Sequence, residues 1–274
     1  MEAERHVRTE YLKRPEGRIA YDVIGAGPLV VCAPGMGDLR SVYRFLAPAL
    51  AEAGYRVATM DLRGHGESDA TFSAYDDVAA GSDLIALVEH LGGPAVLVGN
   101  SMSAGAAVWA AAEAPELVSG LVLIGPFVRN APVGRAAAWA FRLGLLRPWG
   151  PAAWNAWYAK LYPGRPPADL AEHRERIRRS LRRSDRWRAF LRTSRTSHEP
   201  AAARLGEVAA PTLVVMGERD PDFRDPAAEA AWIAERLGGE ALVVPGAGHY
   251  PQAEFPEIVT PAVVAFLGRA RRDA

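Results

Sequence analysis

Cysteine is nearly absent: Cys32 is the single one among 274 residues, so no internal disulfide can form and a small fold stapled by bridges is excluded. It lies inside the apolar run 29–33, which points to a buried strand position rather than a reactive thiol. Long hydrophobic runs are also missing. None approaches the ~20 residues that span a bilayer, and the charged start Met1-Glu2-Ala3-Glu4-Arg5-His6 leads into no apolar signal region. The expectation is a soluble, cytoplasmic chain with no membrane span. No spacing of His, Cys and Asp suggests a metal site, and there is no internal repeat or low-complexity segment. Net charge is zero, from 32 Lys and Arg against 32 Asp and Glu.

That balance hides an uneven distribution. Residues 129–204 hold 17 Lys and Arg against 5 Asp and Glu, leaving 15 against 27 for the rest. The middle of the chain is therefore a separate subdomain or a charged face of the main one. No recognition motif accompanies the arginines, so nucleic-acid binding is not expected. The arginine-dense stretch 173–195 reads as a solvated face, or as an attractor of anionic substrates or of the acidic remainder of the chain. The hydrophobic fraction of 49% is that of a globular chain able to bury a large core, in one α/β domain or two small ones.

Taken in order, residues 7–11 and 18–24 read as a hairpin about the turn 14–17. Strands follow at 29–32, 56–60, 94–98 and 121–124, alternating with helical patterns at 42–53, 74–91 and 104–112. Strand, helix, strand, helix with short connections predicts a parallel sheet covered on both faces. The alternation stops between about 127 and 199, where helix-like pieces are punctuated by Pro148, Pro151, Pro163, Pro166 and Pro167. It resumes with strands 212–216 and 241–244 and helices 226–237 and 256–270.

The pentapeptide Gly99-Asn100-Ser101-Met102-Ser103 falls between the apolar run 94–98 and the alanine-rich stretch 104–112. Ser101 thus sits in a strand-to-helix turn, the place of a nucleophile elbow, whose pattern is Gly-x-Ser-x-Gly. Ser103 replaces the last glycine and is still small. Further along stand Gly217-Glu218-Arg219-Asp220 and Pro245-Gly246-Ala247-Gly248-His249, each just past a late strand.

On these residues the chain resembles the α/β-hydrolase family from end to end, specifically its single-domain, esterase-like members. The resemblance implies a mainly parallel eight-stranded sheet flanked by helices, with an all-helical cap inserted at 128–199 into a core made of 1–127 and 200–274. It implies a triad in the family's chain order, Ser101, Asp220 and His249. Asp220 matches the family's spacing from Gly217, with Glu218, Asp222 and Asp225 as neighbouring alternatives. His65, in Arg63-Gly64-His65-Gly66, is implied to be a structural turn; His6, His90, His173 and His198 have no supporting context. The oxyanion donors it implies are the backbone N–H groups of Met102 and, in the loop Pro34-Gly35-Met36-Gly37, of Met36. Family members usually carry His-Gly where this chain has Pro34-Gly35.

The same loop imitates a dinucleotide-binding unit, with Asp61 ending the next strand. The third glycine of that fingerprint would be residue 40, which is Arg40, and its bulk opposes close helix–strand packing. In the middle segment Trp154, Trp157 and Tyr158 lie at partly helical spacing, as a substrate-binding wall or as the contacts that hold a cap together.

The expected function is therefore hydrolysis of a small-molecule carboxylic ester or related acyl compound without a cofactor. A lactone, thioester, perhydrolysis or carbon–carbon bond reaction would use the same triad, and a ligand-sensing protein of the same fold is the alternative of another class. A homodimer is left open.

Overall fold

The computed structural model describes residues 8–130 and 134–273. The first strand expected from the sequence begins at Val7, which lies outside them, as do His6 and residues 131–133 of the expected cap. Strands β1 (Glu10–Arg14) and β2 (Gly17–Ile24) form the antiparallel hairpin. β2 also pairs antiparallel with β4 (Arg56–Met60). From β4 onward the pairing is parallel, through β3 (Leu29–Ala33), β5 (Ala95–Asn100), β6 (Val118–Ile124), β7 (Thr212–Gly217) and β8 (Glu240–Val244). The eight strands stand in the order β1-β2-β4-β3-β5-β6-β7-β8.

β3, β5 and β7 are buried at every position, which is why they read as continuous apolar runs: helices cover both faces of a parallel sheet. Successive side chains still alternate between the two sides. Val31 and Ala33 join the core beneath α2 (Asp77–His90), α3 (Met102–Glu113) and α9 (Pro226–Leu237), whereas Val30 and Cys32 join the one beneath α1 (Leu46–Glu52) and α11 (Pro256–Asp273).

Two helix starts differ from the periodicity. The expected helix 42–53 is divided into a 3-10 turn, Arg40–Tyr43, and α1. Pro48 explains the division, because it lacks an N–H and its ring would clash with the carbonyl four residues back, so it is tolerated only in a first turn. The helix expected from 74 begins at Asp77, since Asp76 caps it by accepting the Ala79 N–H at 2.9 Å.

Between β6 and β7 the chain is helical: α4 (Arg135–Gly144), α5 (Gly150–Lys160), α6 (Leu170–Arg182), α7 (Ser184–Thr193) and the short α8 (Glu199–Ala202). A further short helix, α10 (Pro251–Glu254), precedes α11. The buried stripe of α6 is Leu170, His173, Ile177 and Leu181, while the arginines of α6 and α7 are mostly exposed or half-buried. Arg186 is the exception; it is buried and donates to the Ser68 carbonyl. Trp154, Tyr158, Trp187 and Phe190 of the inserted helices, with Leu161 and Tyr162 just past α5, pack into the α1/α11 core. No described helix is long and apolar enough to cross a membrane.

Candidate active site at the carboxyl ends of the strands

Ser101 follows β5 with φ +56° and ψ −123°, the only non-glycine residue at positive φ among the described residues. Such a conformation costs about 1–3 kcal/mol and persists only where its surroundings over-determine it. Here the Ser101 N–H donates to the Ile124 carbonyl at 2.8 Å, and the Ser101 carbonyl accepts from Ala104 and Phe127. The elbow also needs small neighbours. A Cβ on Gly99 would lie 2.4 Å from the Ser103 carbonyl oxygen. Ser103 itself has a use that glycine could not serve: its hydroxyl donates to the Pro34 carbonyl at 2.5 Å.

The carboxyl ends of β7 and β8 bring the acid and the imidazole together. His249 Nδ1 lies 2.7 Å from Asp220 Oδ2, and both residues are buried. The other Asp220 oxygen accepts the Asp222 N–H at 3.0 Å, which fixes the carboxylate's orientation. Of the neighbouring acids, Asp222 faces the same imidazole from farther away, at 3.7 Å from Nδ1, while Glu218 accepts the Gly246 N–H and Asp225 caps α9. Burial lowers the His249 pKa, but the charge of Asp220 and its hydrogen bond outweigh it, and the net shift is upward to about 9. Asp220, Asp222 and His249 offer atoms within 4.8 Å of one another, enough for a cation in principle. His249 Nδ1, however, is already spent on Asp220.

Ser101 and His249 flank the same short segment. The Phe127 N–H bonds Ser101, the Phe127 ring centroid is 6.1 Å from that of His249, and a Cβ on Gly125 would lie 3.0 Å from His249 Nδ1. No hydrogen bond joins Ser101 Oγ to His249 among the described residues; such bonds often tighten only when substrate is in place.

The loop 34–38 covers the serine from the other side, with a Cβ on Gly35 falling 2.8 Å from Ser101 Cβ. Met102, the first residue of α3, presents its N–H at a helix start where the dipole favours an anion. Gly37 adopts φ +72°, and its N–H donates to His65 Nε2 at 3.0 Å. The second His65 nitrogen, Nδ1, lies 2.9 Å from the Arg63 carbonyl and donates to it, so the ring is the neutral Nδ1–H tautomer. His65 therefore braces this loop, a contact across 28 residues that local spacing does not reveal.

Burial pushes the His65 pKa down to about 4, with the Arg63 carbonyl opposing and Arg186 adding to the shift. The unfolded chain takes up a proton near the ordinary value of 6.5 that the folded chain refuses. Stability should fall as pH drops from that value towards about 4, by about 1.4 kcal/mol per pH unit for this proton. Chemical denaturation of wild type and His65→Gln at neutral and mildly acidic pH measures this; an undiminished slope in the variant would assign it to other groups.

The aromatic residues of α5 do not form an open wall. Trp154 is 5% exposed and donates from Nε1 to the Gly37 carbonyl at 3.3 Å; Tyr158 is fully buried and donates to Asp38 Oδ2 at 2.8 Å. Trp157 is 39% exposed, with Lys160 Nζ 5.9 Å from its ring centroid. The partly apolar rings with one polar atom have found buried partners, as Trp and Tyr do in cores.

Two histidines without sequence context also matter. His173 Nε2 lies 2.8 Å from Asp38 Oδ1, and His198 Nδ1 lies 2.8 Å from Asp77 Oδ2. The signal for His173 was its place on the Ile177–Leu181 stripe of α6. Arg40, at the position of the missing glycine, pairs with Asp22 and Asp61, so the acid that a dinucleotide would need is already occupied. Two surface hollows of about 440 and 400 Å³, one lined by Arg188, Arg192 and Arg195 and the other by Arg40, Arg44 and Arg176, do not include Ser101 or His249.

Comparison with known proteins agrees with this architecture. A family model described as "Alpha/beta hydrolase family" matches residues 30–262. The chain is 30% identical over 261 residues to 2-(acetamidomethylene)succinate hydrolase of Mesorhizobium japonicum, covering 92% of each. It is 28% identical over 218 residues to 3-oxoadipate enol-lactonase 2 of Acinetobacter baylyi, covering 78% of this chain and 79% of that one. Among solved structures, a thermophilic esterase from Thermogutta terrifontis superposes with a TM-score of 0.76 at 25% identity, over 96% of this chain and 99% of that one. With the family match spanning most of the sheet and its flanking helices, the chain belongs to the α/β-hydrolase family.

Proposed function

We propose that the protein is a serine hydrolase acting on a carboxylic ester or a related acyl compound through Ser101, His249 and Asp220. The observation that carries this reading is the buried 2.7 Å hydrogen bond from His249 Nδ1 to Asp220. It stands beside a serine held at φ +56° in a strand-to-helix turn. A serine hydroxyl is a weak nucleophile at its free pKa and needs a base oriented by a third group. His249 Nε2 takes the Ser101 proton as Oγ attacks the acyl carbon, and Asp220 stabilises the imidazolium that forms. The Met36 and Met102 N–H groups receive the oxyanion of the tetrahedral intermediate. His249 then protonates the leaving alkoxide, and the acyl group stays on Ser101. Water, deprotonated by His249, attacks the acyl-enzyme and restores the serine.

In this reading residues 128–199 are a helical cap over a core made of 1–127 and 200–274. The relatives' names, 2-(acetamidomethylene)succinate hydrolase and 3-oxoadipate enol-lactonase 2, denote small compounds that carry carboxylates. A panel of short activated esters, lactones and thioesters, each with and without a carboxylate, tests the substrate class. Multiple turnovers on at least one ester or lactone are expected. Failure on every member, with the protein folded, would contradict the reading.

A further inference from the structure

One face of α5 touches both halves of the proposed site. Trp154 Nε1 donates to the Gly37 carbonyl at 3.3 Å, the Tyr158 hydroxyl donates to Asp38 at 2.8 Å, and the Leu161 carbonyl at the helix end accepts the His249 N–H at 2.9 Å. Positions 154, 158 and 161 are spaced i, i+4, i+7, one helical stripe. The first two contacts fall on the loop that carries the Met36 amide, and the third falls on the histidine.

The loop has little freedom left. Pro34 is held by Ser103, the Gly37 N–H by His65, and the Gly37 carbonyl by Trp154. Asp38 is fully buried; one carboxylate oxygen accepts from Leu39 N–H at 2.7 Å and lies 2.8 Å from His173 Nε2, and the other accepts from Tyr158. His173 Nδ1 stands 3.3 Å from Ser41 Oγ. Two of these restraints come from the core, while Trp154, Tyr158 and His173 come from α5 and α6. The Trp154 ring packs closely on Gly37, where an added Cβ would lie 2.6 Å from it. The Met36 amide lies between Gly35, packed on Ser101, and Gly37, so fixing its neighbours fixes its direction.

We propose that Trp154, Tyr158 and His173 are positioning residues: docking of α5 and α6 sets the Met36 N–H and the His249 loop, so the cap is a condition of oxyanion stabilisation and not only a cover. This rests on the serine-hydrolase reading above. It also gives the aromatic residues of α5 a role other than a substrate wall.

The test compares Tyr158→Phe, Trp154→Phe, His173→Ala and His173→Gln with wild type, using a short activated ester and an aryl trifluoromethyl ketone. Serine adds to that ketone to give a hemiketal oxyanion, so its inhibition constant reads the oxyanion site. Removing a whole oxyanion donor costs about 10²–10³ in kcat, so loosening one is expected to cost about tenfold in each single variant. KM should stay within about twofold, since positioning acts on the transition state and not on ground-state binding. The ketone's inhibition constant should rise in step with the loss in kcat. His173→Gln, which keeps a donor for Asp38, should recover most of what His173→Ala loses, and exposed Arg179→Ala should change nothing.

Wild-type kcat in both Tyr158→Phe and Trp154→Phe would overturn the proposal. So would a raised KM with an unchanged ketone constant, the signature of a substrate wall. Tyr158→Phe is isosteric, so melting temperature confirms that it folds and keeps the test decisive. If wild type neither turns over ester nor reacts with a fluorophosphonate, the serine-hydrolase reading has failed; if it does both and the variants match it, only the positioning has failed.

Discussion

Ser101→Ala is expected to abolish turnover, with kcat falling roughly 10⁶-fold, because the serine, histidine and acid act as a unit and loss of the nucleophile alone removes nearly all of its benefit. KM should change little, since the substituted methyl group leaves the ground-state contacts in place. Stability should change little too: alanine inherits the same positive φ, and the Ser101 backbone bonds to Ile124, Ala104 and Phe127 do not involve the side chain. A variant that retains more than a few per cent of wild-type turnover, after contamination is excluded with a second preparation, would show that the nucleophile lies elsewhere.

Asp220→Asn should have the second largest effect, about 10⁴-fold in kcat, since an amide cannot stabilise the imidazolium and favours the wrong ring tautomer. The pH profile adds an independent reading. The His249 pKa is raised from the ordinary 6.5 to about 9 despite burial, with Asp220 as the largest raising influence. A base must be neutral to accept the serine proton, so a raised pKa means that activity climbs with pH through the neutral and mildly alkaline range. The midpoint of kcat/KM should therefore lie above 6.5 in wild type. In Asp220→Asn the largest raising influence is gone while Asp222 and Asp38 remain, and the midpoint should move down. Asp222→Asn should do much less, because Asp222 is 3.7 Å from Nδ1 and 21% exposed. Equal losses in Asp220→Asn and Asp222→Asn, or the larger loss in Asp222→Asn, would reassign the acid.

The sheet was largely legible because burial on both faces writes long apolar runs such as Leu29–Ala33 and Thr212–Gly217 into the chain. The loops that end them could be read from their glycines, and the resemblance to the α/β-hydrolase family, through its chain order, is what picked out Ser101, Asp220 and His249 as a set. Other parts depend on contacts between distant segments. Trp154 meets Gly37 across 117 residues and His173 meets Asp38 across 135. Neither partner carries a local pattern that announces the other. The role of Ser103 was hidden for a similar reason: it resembles a defect in Gly-x-Ser-x-Gly until the Pro34 carbonyl is seen above it. The break before α1 was legible in Pro48 but was masked by the helical periodicity around it.

The most direct test of the central claim is reaction of the wild-type protein with a fluorophosphonate, followed by peptide mapping of the adduct. One label per chain on Ser101, formed in step with the loss of ester hydrolysis, is the predicted result. A label on another residue, or an unlabelled Ser101 in protein that still hydrolyses esters, would contradict the account.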